Sequence, residues 1–248
     1  MKLSVKEIRA RKSVTPIPML TAYTAPIAQA LEKAGVPVLL VGDTVGMVEM
    51  GMKSTREVTI EHMEYHVAAV RRGAPNTHII GDMPFNSDKD PVTALKNAER
   101  LLSAGADSIK LEGPKKTVIR HLLRNSVDVV GHTGLTPQTS KNFKQVGARP
   151  EEAERITNEA REIEEAGAFM IVLEHIPDSL AEAITRSLSI PTIGIGAGSN
   201  CDGQVLVIND VLGLGDKWPP FSKQYTSMGE AIVEAGRAFI REVEENRF

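Results

Sequence analysis

The chain has 248 residues, 42% of them hydrophobic and 25% charged, and a formal net charge of −3, the balance of an ordinary globular protein. No basic excess points to nucleic acid, no acidic tail to a charge-driven partner, and no apolar run reaches the roughly 18 residues needed to span a membrane. A single cysteine, Cys201, excludes an internal disulfide and a cysteine-built zinc cluster, and the opening MKLSVKEIRARK lacks the apolar stretch of a secretory signal, so the expected location is cytoplasmic.

Short β-branched runs at 17–22, 37–42, 78–82, 108–112, 127–132, 169–174, 192–196 and 205–208 read as strands. Between them, segments of helical period run over 25–33, 60–72, 91–104, 115–124, 151–165 and 178–188. The stretch 227–245 reads as one more amphipathic helix, a candidate for the eighth. This alternation is the pattern of parallel βα units. Several of the helices run into glycine, at Gly35, Gly105 and Gly167, where a left-handed helix end is expected. With no linker dividing 1–248, the expectation is a single α/β domain, a (β/α)₈ TIM-type barrel. An open doubly wound sheet is the alternative. Two connections, 43–59 and 133–150, are longer than ordinary loops and read as lids. Both follow the C-terminal ends of strands, the face where barrels carry their active sites.

Four predicted strands end in a carboxylate: Asp43 follows the second, Asp82 ends the third, Glu112 the fourth and Glu174 the sixth. Side chains alternate along a strand, so Lys110 and Glu112 share one face and Ile109 and Leu111 the other. Helices cover the outside of a barrel, and the charged pair is therefore expected to point inward. One such acid alone reads equally as a helix cap or a solvated loop residue. Several together repel, by roughly 4 kcal/mol for a pair about 4 Å apart at an effective dielectric of about 20. Convergence would require a cation, shared protons or Lys110. Oxygen ligands favour Mg²⁺ or Mn²⁺ over zinc, and such an ion can chelate an α-keto acid and stabilise an enolate.

His132 ends the fifth strand in line with the acids and is a candidate substrate contact. His62, His66 and His121 fall on predicted helices, and His175 turns away from Glu174. No His-Glu-x-x-His spacing suggests a zinc hydrolase. The run Gly194-Ile-Gly-Ala-Gly198 fits either a phosphate loop or a tight turn. Met47, Met50 and Met52 in the first long connection suit an adaptable lid or an interface.

The motifs Val41-Gly-Asp-Thr-Val-Gly-Met47, Tyr65-His-x-x-Ala-Val-Arg-Arg-Gly-Ala-Pro75, Asp82-Met-Pro-Phe85, Lys110-Leu-Glu-Gly113, Gly131-His-x-Gly-Leu-Thr-Pro-Gln138, Val172-Leu-Glu174 and Ile193-Gly-Ile-Gly-Ala-Gly198 with Asp202-Gly-Gln204 closely resemble those of the ketopantoate hydroxymethyltransferase family. The match runs in order along nearly the whole chain. The resemblance implies a barrel of the phosphoenolpyruvate/pyruvate-binding kind that moves a one-carbon unit from 5,10-methylenetetrahydrofolate to α-ketoisovalerate. The product, ketopantoate, feeds pantothenate and coenzyme A synthesis. It implies that Asp43, Asp82 and Glu112 bind Mg²⁺, and that the keto acid contacts Asp43, Thr44, Asp82 and Lys110, with His132 nearby. Glu174 then removes the C3 proton. It also implies small-molecule substrates only and a homo-oligomer, a decamer. A modified pterin in place of folate stays open.

Some positions depart from that family pattern. Thr44 stands for the usual Ser, Thr24 for Asp, and Asn200-Cys201 for Val-Thr, while Phe143-Lys-Gln-Val-Gly147 reorders the usual Tyr-Lys-Val-Gln-Gly. None touches the expected metal ligands. The rival enzyme class is the phosphoenolpyruvate mutase and isocitrate lyase group, whose Lys-Lys-Cys-Gly-His type of loop is missing from this sequence. A silent, ligand-binding barrel predicts lost acids, and all four are present.

Overall fold

The computed structural model describes residues 2–140, 142–215 and 218–247. In chain order its elements are α1 (Val5–Arg9), β1 (Ile17–Thr21), α2 (Ala25–Lys33), β2 (Val38–Val41), α3 (Val45–Val48), a 3₁₀ turn (Thr55–Glu57), α4 (Ile60–Gly73), β3 (His78–Asp82), α5 (Pro91–Ala104) and β4 (Ser108–Lys110). There follow α6 (Lys116–Arg124), β5 (Val129–Gly134), α7 (Pro150–Ala166), β6 (Met170–Glu174), α8 (Asp178–Ser187), β7 (Thr192–Ile195), β8 (Gly203–Leu206), α9 (Ile208–Leu212) and α10 (Met228–Glu244). Strands β1 to β8 neighbour one another in chain order and close into a barrel, and the pairings from β1–β2 through β7–β8 are all parallel. The expected (β/α)₈ architecture is therefore the observed one, and the open sheet is excluded. The chain forms two compact units, Met1–Val205 and Leu206–Phe248.

Local chemistry explains the helix ends. Asp90 caps α5 by accepting from Thr93 N at 2.8 Å, and Pro91 occupies the first turn, where a missing N–H costs nothing. At the other end Gly105 adopts φ +118°, a conformation open to glycine without a Cβ clash. Helix α1 is too short for a periodicity reading to find. Its start is a capping box, in which Glu7 N donates to Ser4 Oγ at 3.3 Å and Ser4 N to Glu7 Oε2 at 2.8 Å.

The inward faces of the strands supply Ile17, Met19, Val38, Leu40, Ile80, Val130, Met170, Val172, Ile193 and Val205, one buried apolar cluster that Ile8 of α1 joins. Two residues further on, in the same period-2 rows, stand Asp82 after Ile80, His132 after Val130 and Glu174 after Val172. The apolar interior thus gives way to charge at the C-terminal ends of the strands. Register aligns Asp82 with Lys110 and Gly134 with Glu174.

Strand and helix limits fall within two residues of expectation, and two strands are displaced as a whole by two: β5, expected at 127–132, lies at Val129–Gly134, and β8 is the more informative case. The last strand was expected at 205–208 and lies at Gly203–Leu206, paired through Ile193↔Gly203 and Gly194↔Gln204. Its first residue is glycine because a Cβ there would lie 2.2 Å from Ile17 O, and glycine reads as a turn in the sequence. Val207 and Ile208, which look like strand, instead open α9. Connection 43–59 contains α3 and the 3₁₀ turn. In connection 133–150, β5 extends to Gly134, residues 135–140 and 142–149 form neither helix nor strand, and Lys141 lies outside the described residues.

Near Leu3, buried His78 bonds Leu3 O through Nδ1 at 3.0 Å and Ser108 Oγ through Nε2 at 2.9 Å. Within the second unit, Tyr225 N donates to Val211 O at 2.9 Å and Gly229 N to Gly213 O at 3.2 Å. These bonds tie the approach to α10 back onto α9, and α10 itself matches the helix expected at 227–245.

Candidate active site

Alternation along β4 turns Lys110 inward, as the sequence required, and the adjacent strand presents Asp82 to it. Lys110 Nζ donates to both carboxylate oxygens, at 2.9 and 2.8 Å, and both side chains are almost wholly buried. Asp43 follows β2 one residue past Gly42, and its backbone N–H donates to Asp82 Oδ2 at 3.4 Å. Glu112, two residues beyond β4, is also buried. Gln138, from the loop after β5, joins the two: its Nε2 donates to Asp43 Oδ2 at 2.9 Å and its backbone N–H to Glu112 Oε2 at 3.2 Å.

His132, 1% exposed, stands between two acids. Its Nδ1 is 3.6 Å from Glu112 Oε1 and its Nε2 3.2 Å from Glu174 Oε2. Neither contact is aligned as a hydrogen bond, so the ring is placed by packing. Glu174 is the most open of the four acids, with its side chain 17% exposed. Thr44, half-buried at the start of α3, completes the set. The sequence-based candidates Asp43, Thr44, Asp82, Lys110, Glu112, His132 and Glu174 thus all lie toward the C-terminal mouth of the barrel. Gln138 had no residue-type signal to single it out, because a glutamine in a polar loop is unremarkable until its partners are known.

The electrostatics are unbalanced. Burial, reinforced by Asp82, pushes the Asp43 carboxyl up to about 7, although Lys110 and Gln138 pull it down. Burial likewise pushes Glu112 up to about 9 against the opposing pull of Lys110. For Lys110, burial lowers the affinity for a proton, but Asp82, Asp43 and Glu112 outweigh it and hold the ammonium above its ordinary range. One ammonium faces three carboxylates, and without a further cation the cluster retains protons instead. Hard oxygen donors and a deficit of positive charge fit a divalent ion such as Mg²⁺. Among the described residues, no group of three or more His, Cys, Asp or Glu side chains is gathered as a ready coordination shell. Lys110 and Gln138 engage the carboxylate oxygens instead.

Other candidates fall elsewhere. His62 Nδ1 accepts from Thr59 N at 3.1 Å, capping α4, and His66 Nδ1 bonds Tyr23 O at 2.8 Å. In the glycine-rich loop after β7, Gly198 has φ +76° and a Cβ there would lie 1.9 Å from Asp178 Oδ1. A carboxylate against that loop favours the tight-turn reading over an anion site. Among the described residues, no helix is long and apolar enough to cross a membrane.

Comparison with known proteins bears on what this arrangement serves. The family model described as ketopantoate hydroxymethyltransferase matches residues 2–248. A 3-methyl-2-oxobutanoate hydroxymethyltransferase of Thermus thermophilus is 47% identical over 255 residues, covering 100% of this chain and 97% of that protein. One from Ignicoccus hospitalis is 43% identical over 254 residues, with 100% and 97% covered. Among solved structures, a 2,3-dimethylmalate lyase, described as a PEP mutase/isocitrate lyase superfamily member, superposes with a TM-score of 0.66 at 15% identity, over 99% of this chain and 89% of that one. A phosphonopyruvate hydrolase gives 0.66 at 14%, over 99% and 88%. At such identities the likeness establishes the barrel type and nothing about the reaction.

Proposed function

The chain belongs to the ketopantoate hydroxymethyltransferase family, and from that premise we propose that it transfers a hydroxymethyl unit to 3-methyl-2-oxobutanoate, giving 2-dehydropantoate. The observation that carries this reading is the gathering of Asp43, Asp82, Glu112 and Lys110 beside buried His132 and the more open Glu174. One group of side chains is suited to holding a 2-oxo acid, the other to moving its proton.

Asp43, Asp82 and Glu112 are the residues that would hold Mg²⁺, one ion per subunit. When bound, that ion polarises the keto acid and increases the acidity of its C3–H. Lys110, fixed on Asp82, presents a buried positive charge to the substrate carboxylate or keto oxygen, and Thr44 offers a hydroxyl alongside. Glu174 accepts the C3 proton as general base. His132, whose Nε2 lies 3.2 Å from Glu174 Oε2, packs beside that carboxylate and limits where it can swing. The C3 carbanion then attacks the one-carbon unit, for which we propose 5,10-methylenetetrahydrofolate as donor. Overall, one water supplies the new hydroxyl oxygen and tetrahydrofolate leaves.

The free thiol of Cys201 suits a reducing compartment, and a cytoplasmic location is part of the proposal. So is assembly into a homo-oligomer, a decamer in the family pattern. Ile232, Phe239 and Ile240 on α10 are 58%, 53% and 54% exposed, apolar area of the kind an assembly buries. Light scattering on the purified protein reads the assembly directly.

The reaction test is formation of 2-dehydropantoate from 3-methyl-2-oxobutanoate, methylenetetrahydrofolate and Mg²⁺. In D₂O without the folate, the same protein is expected to exchange the C3 proton for deuterium, and EDTA or Asp82→Ala to abolish that exchange. No exchange with any divalent metal overturns the mechanism.

A further inference from the structure

Gln138 is 2% exposed and carries no charge, yet more of the site passes through it than through any single acid. Its Nε2 donates to Asp43 Oδ2 at 2.9 Å and to Met83 O at 2.8 Å, and its backbone N–H donates to Glu112 Oε2 at 3.2 Å. Its carbonyl accepts from Arg56 Nε at 2.7 Å. The amide orientation is dictated by its partners. Both neighbours of Nε2 are acceptors only, so an oxygen in its place would face a carbonyl and a carboxylate.

Resting on the reading of Asp43, Asp82 and Glu112 as metal-holding acids, the geometry points to Gln138 as their positioning residue. It takes up one oxygen of Asp43 and one of Glu112, and it leaves Asp43 Oδ1 and Glu112 Oε1 outside its grip for a cation. The residue type follows from charge. A lysine or arginine here would neutralise the acids and compete with the ion. A glutamate would add another repelling carboxylate. An apolar side chain would strand Asp43 Oδ2 and Met83 O without a donor in a buried setting. A neutral double donor orients the acids and keeps their charge deficit intact. Groups that orient metal ligands in this way commonly change affinity 10- to 100-fold when removed.

Gln138 also connects the loops to the metal-holding acids. Arg56 sits on the 3₁₀ turn of the connection after β2, and its guanidinium lies 5.4 Å from the centre of the Phe85 ring in the loop after β3. Met83 belongs to that same loop. The loops after β2, β3, β4 and β5 therefore meet at one glutamine, and the order of the long connections is coupled to the aim of two carboxylates.

The test is calorimetric titration of the purified full-length protein with Mn²⁺ alone, comparing wild type, Gln138→Met and Arg56→Ala. Gln138→Met, similar in volume and without donors, is expected to bind Mn²⁺ at least about tenfold more weakly. Its rate of C3 proton exchange should recover as Mn²⁺ is raised to saturation, a response that a purely structural defect does not produce. Arg56→Ala changes an exposed residue and leaves the buried side chains of the cluster in place, so it serves if Gln138→Met does not fold. It is expected to weaken Mn²⁺ by about threefold, less than the 10- to 100-fold loss of a group that touches the ligands directly, because Arg56 acts only through Gln138. Wild-type affinity in both variants overturns the role of Gln138. Absence of Mn²⁺ binding by the wild type overturns the metal reading of the acids, and this inference falls with it.

Discussion

His132 Nε2 lies 3.2 Å from Glu174 Oε2 while its Nδ1 lies 3.6 Å from Glu112 Oε1, so one buried imidazole spans the proposed proton acceptor and the proposed metal site. The two acids differ in their surroundings, which is why different roles are proposed for them. Glu112 is buried and pushed up to about 9 by that burial, whereas Glu174 keeps 17% of its side chain open to the mouth.

Replacement of Glu174 by glutamine keeps the shape and removes the base. Deuterium incorporation at C3 should fall by roughly 10²- to 10⁴-fold, the usual contribution of a positioned general base. Binding of 3-methyl-2-oxobutanoate with Mg²⁺, followed by calorimetry, should change little. Full exchange activity in the variant removes Glu174 from the mechanism.

Lys110 and Asp82 form a buried pair whose halves are not equivalent. Lys110→Met leaves three buried acids without an ammonium, while Asp82→Asn leaves Lys110 beside Asp43 and Glu112. Denaturant unfolding in EDTA should show Lys110→Met destabilised by about 3–5 kcal/mol, as for a broken buried ion pair, and Asp82→Asn by clearly less. Equal losses mean that Asp43 and Glu112 do not compensate Lys110.

At the other end of β3, burial holds His78 below its ordinary 6.5, with Asp107 raising it and Lys2 and Arg71 lowering it further. A depressed histidine means that the unfolded chain takes up protons first as the pH falls. The stability contributed by neutral His78 is therefore complete above about 6.5 and is progressively lost as pH falls below that value. Thermal melts between pH 7.5 and 5 should show a flatter decline in His78→Gln than in the wild type. Parallel declines exclude the assignment.

Gly203 is where β8 passes β1, and an added Cβ meets Ile17 O at 2.2 Å, backbone that does not yield easily. Gly203→Ala should cost about 1–3 kcal/mol or more, by analogy with overpacked cores. A chemical melt at wild-type stability contradicts this closure geometry.

Much of the architecture was legible along the chain. Period-2 rows ending in Asp82, Glu174 and the Lys110–Glu112 pair specify which face each side chain takes, because alternation is a local property of an extended backbone. Helix extents were legible too, as Pro91 and Gly105 mark α5 at both ends through their own backbone limits. The eighth strand was misplaced by two residues because its leading glycine answers to the close passage of Ile17, which no local pattern records.

Sequence alone therefore determined the βα alternation, with the barrel expected and an open sheet as its alternative, and also the inward turn of Lys110 and the four acids at the strand ends. The tertiary structure decided how those acids are placed and which side chains partner them. Asp43 and Gln138 are 95 residues apart in sequence and 2.9 Å apart in space, and His132 reaches two acids from different strands. Such contacts depend on barrel closure and on how irregular loops fold over its mouth. Their energies come from non-local burial and charge, which the periodicity of any single segment does not contain.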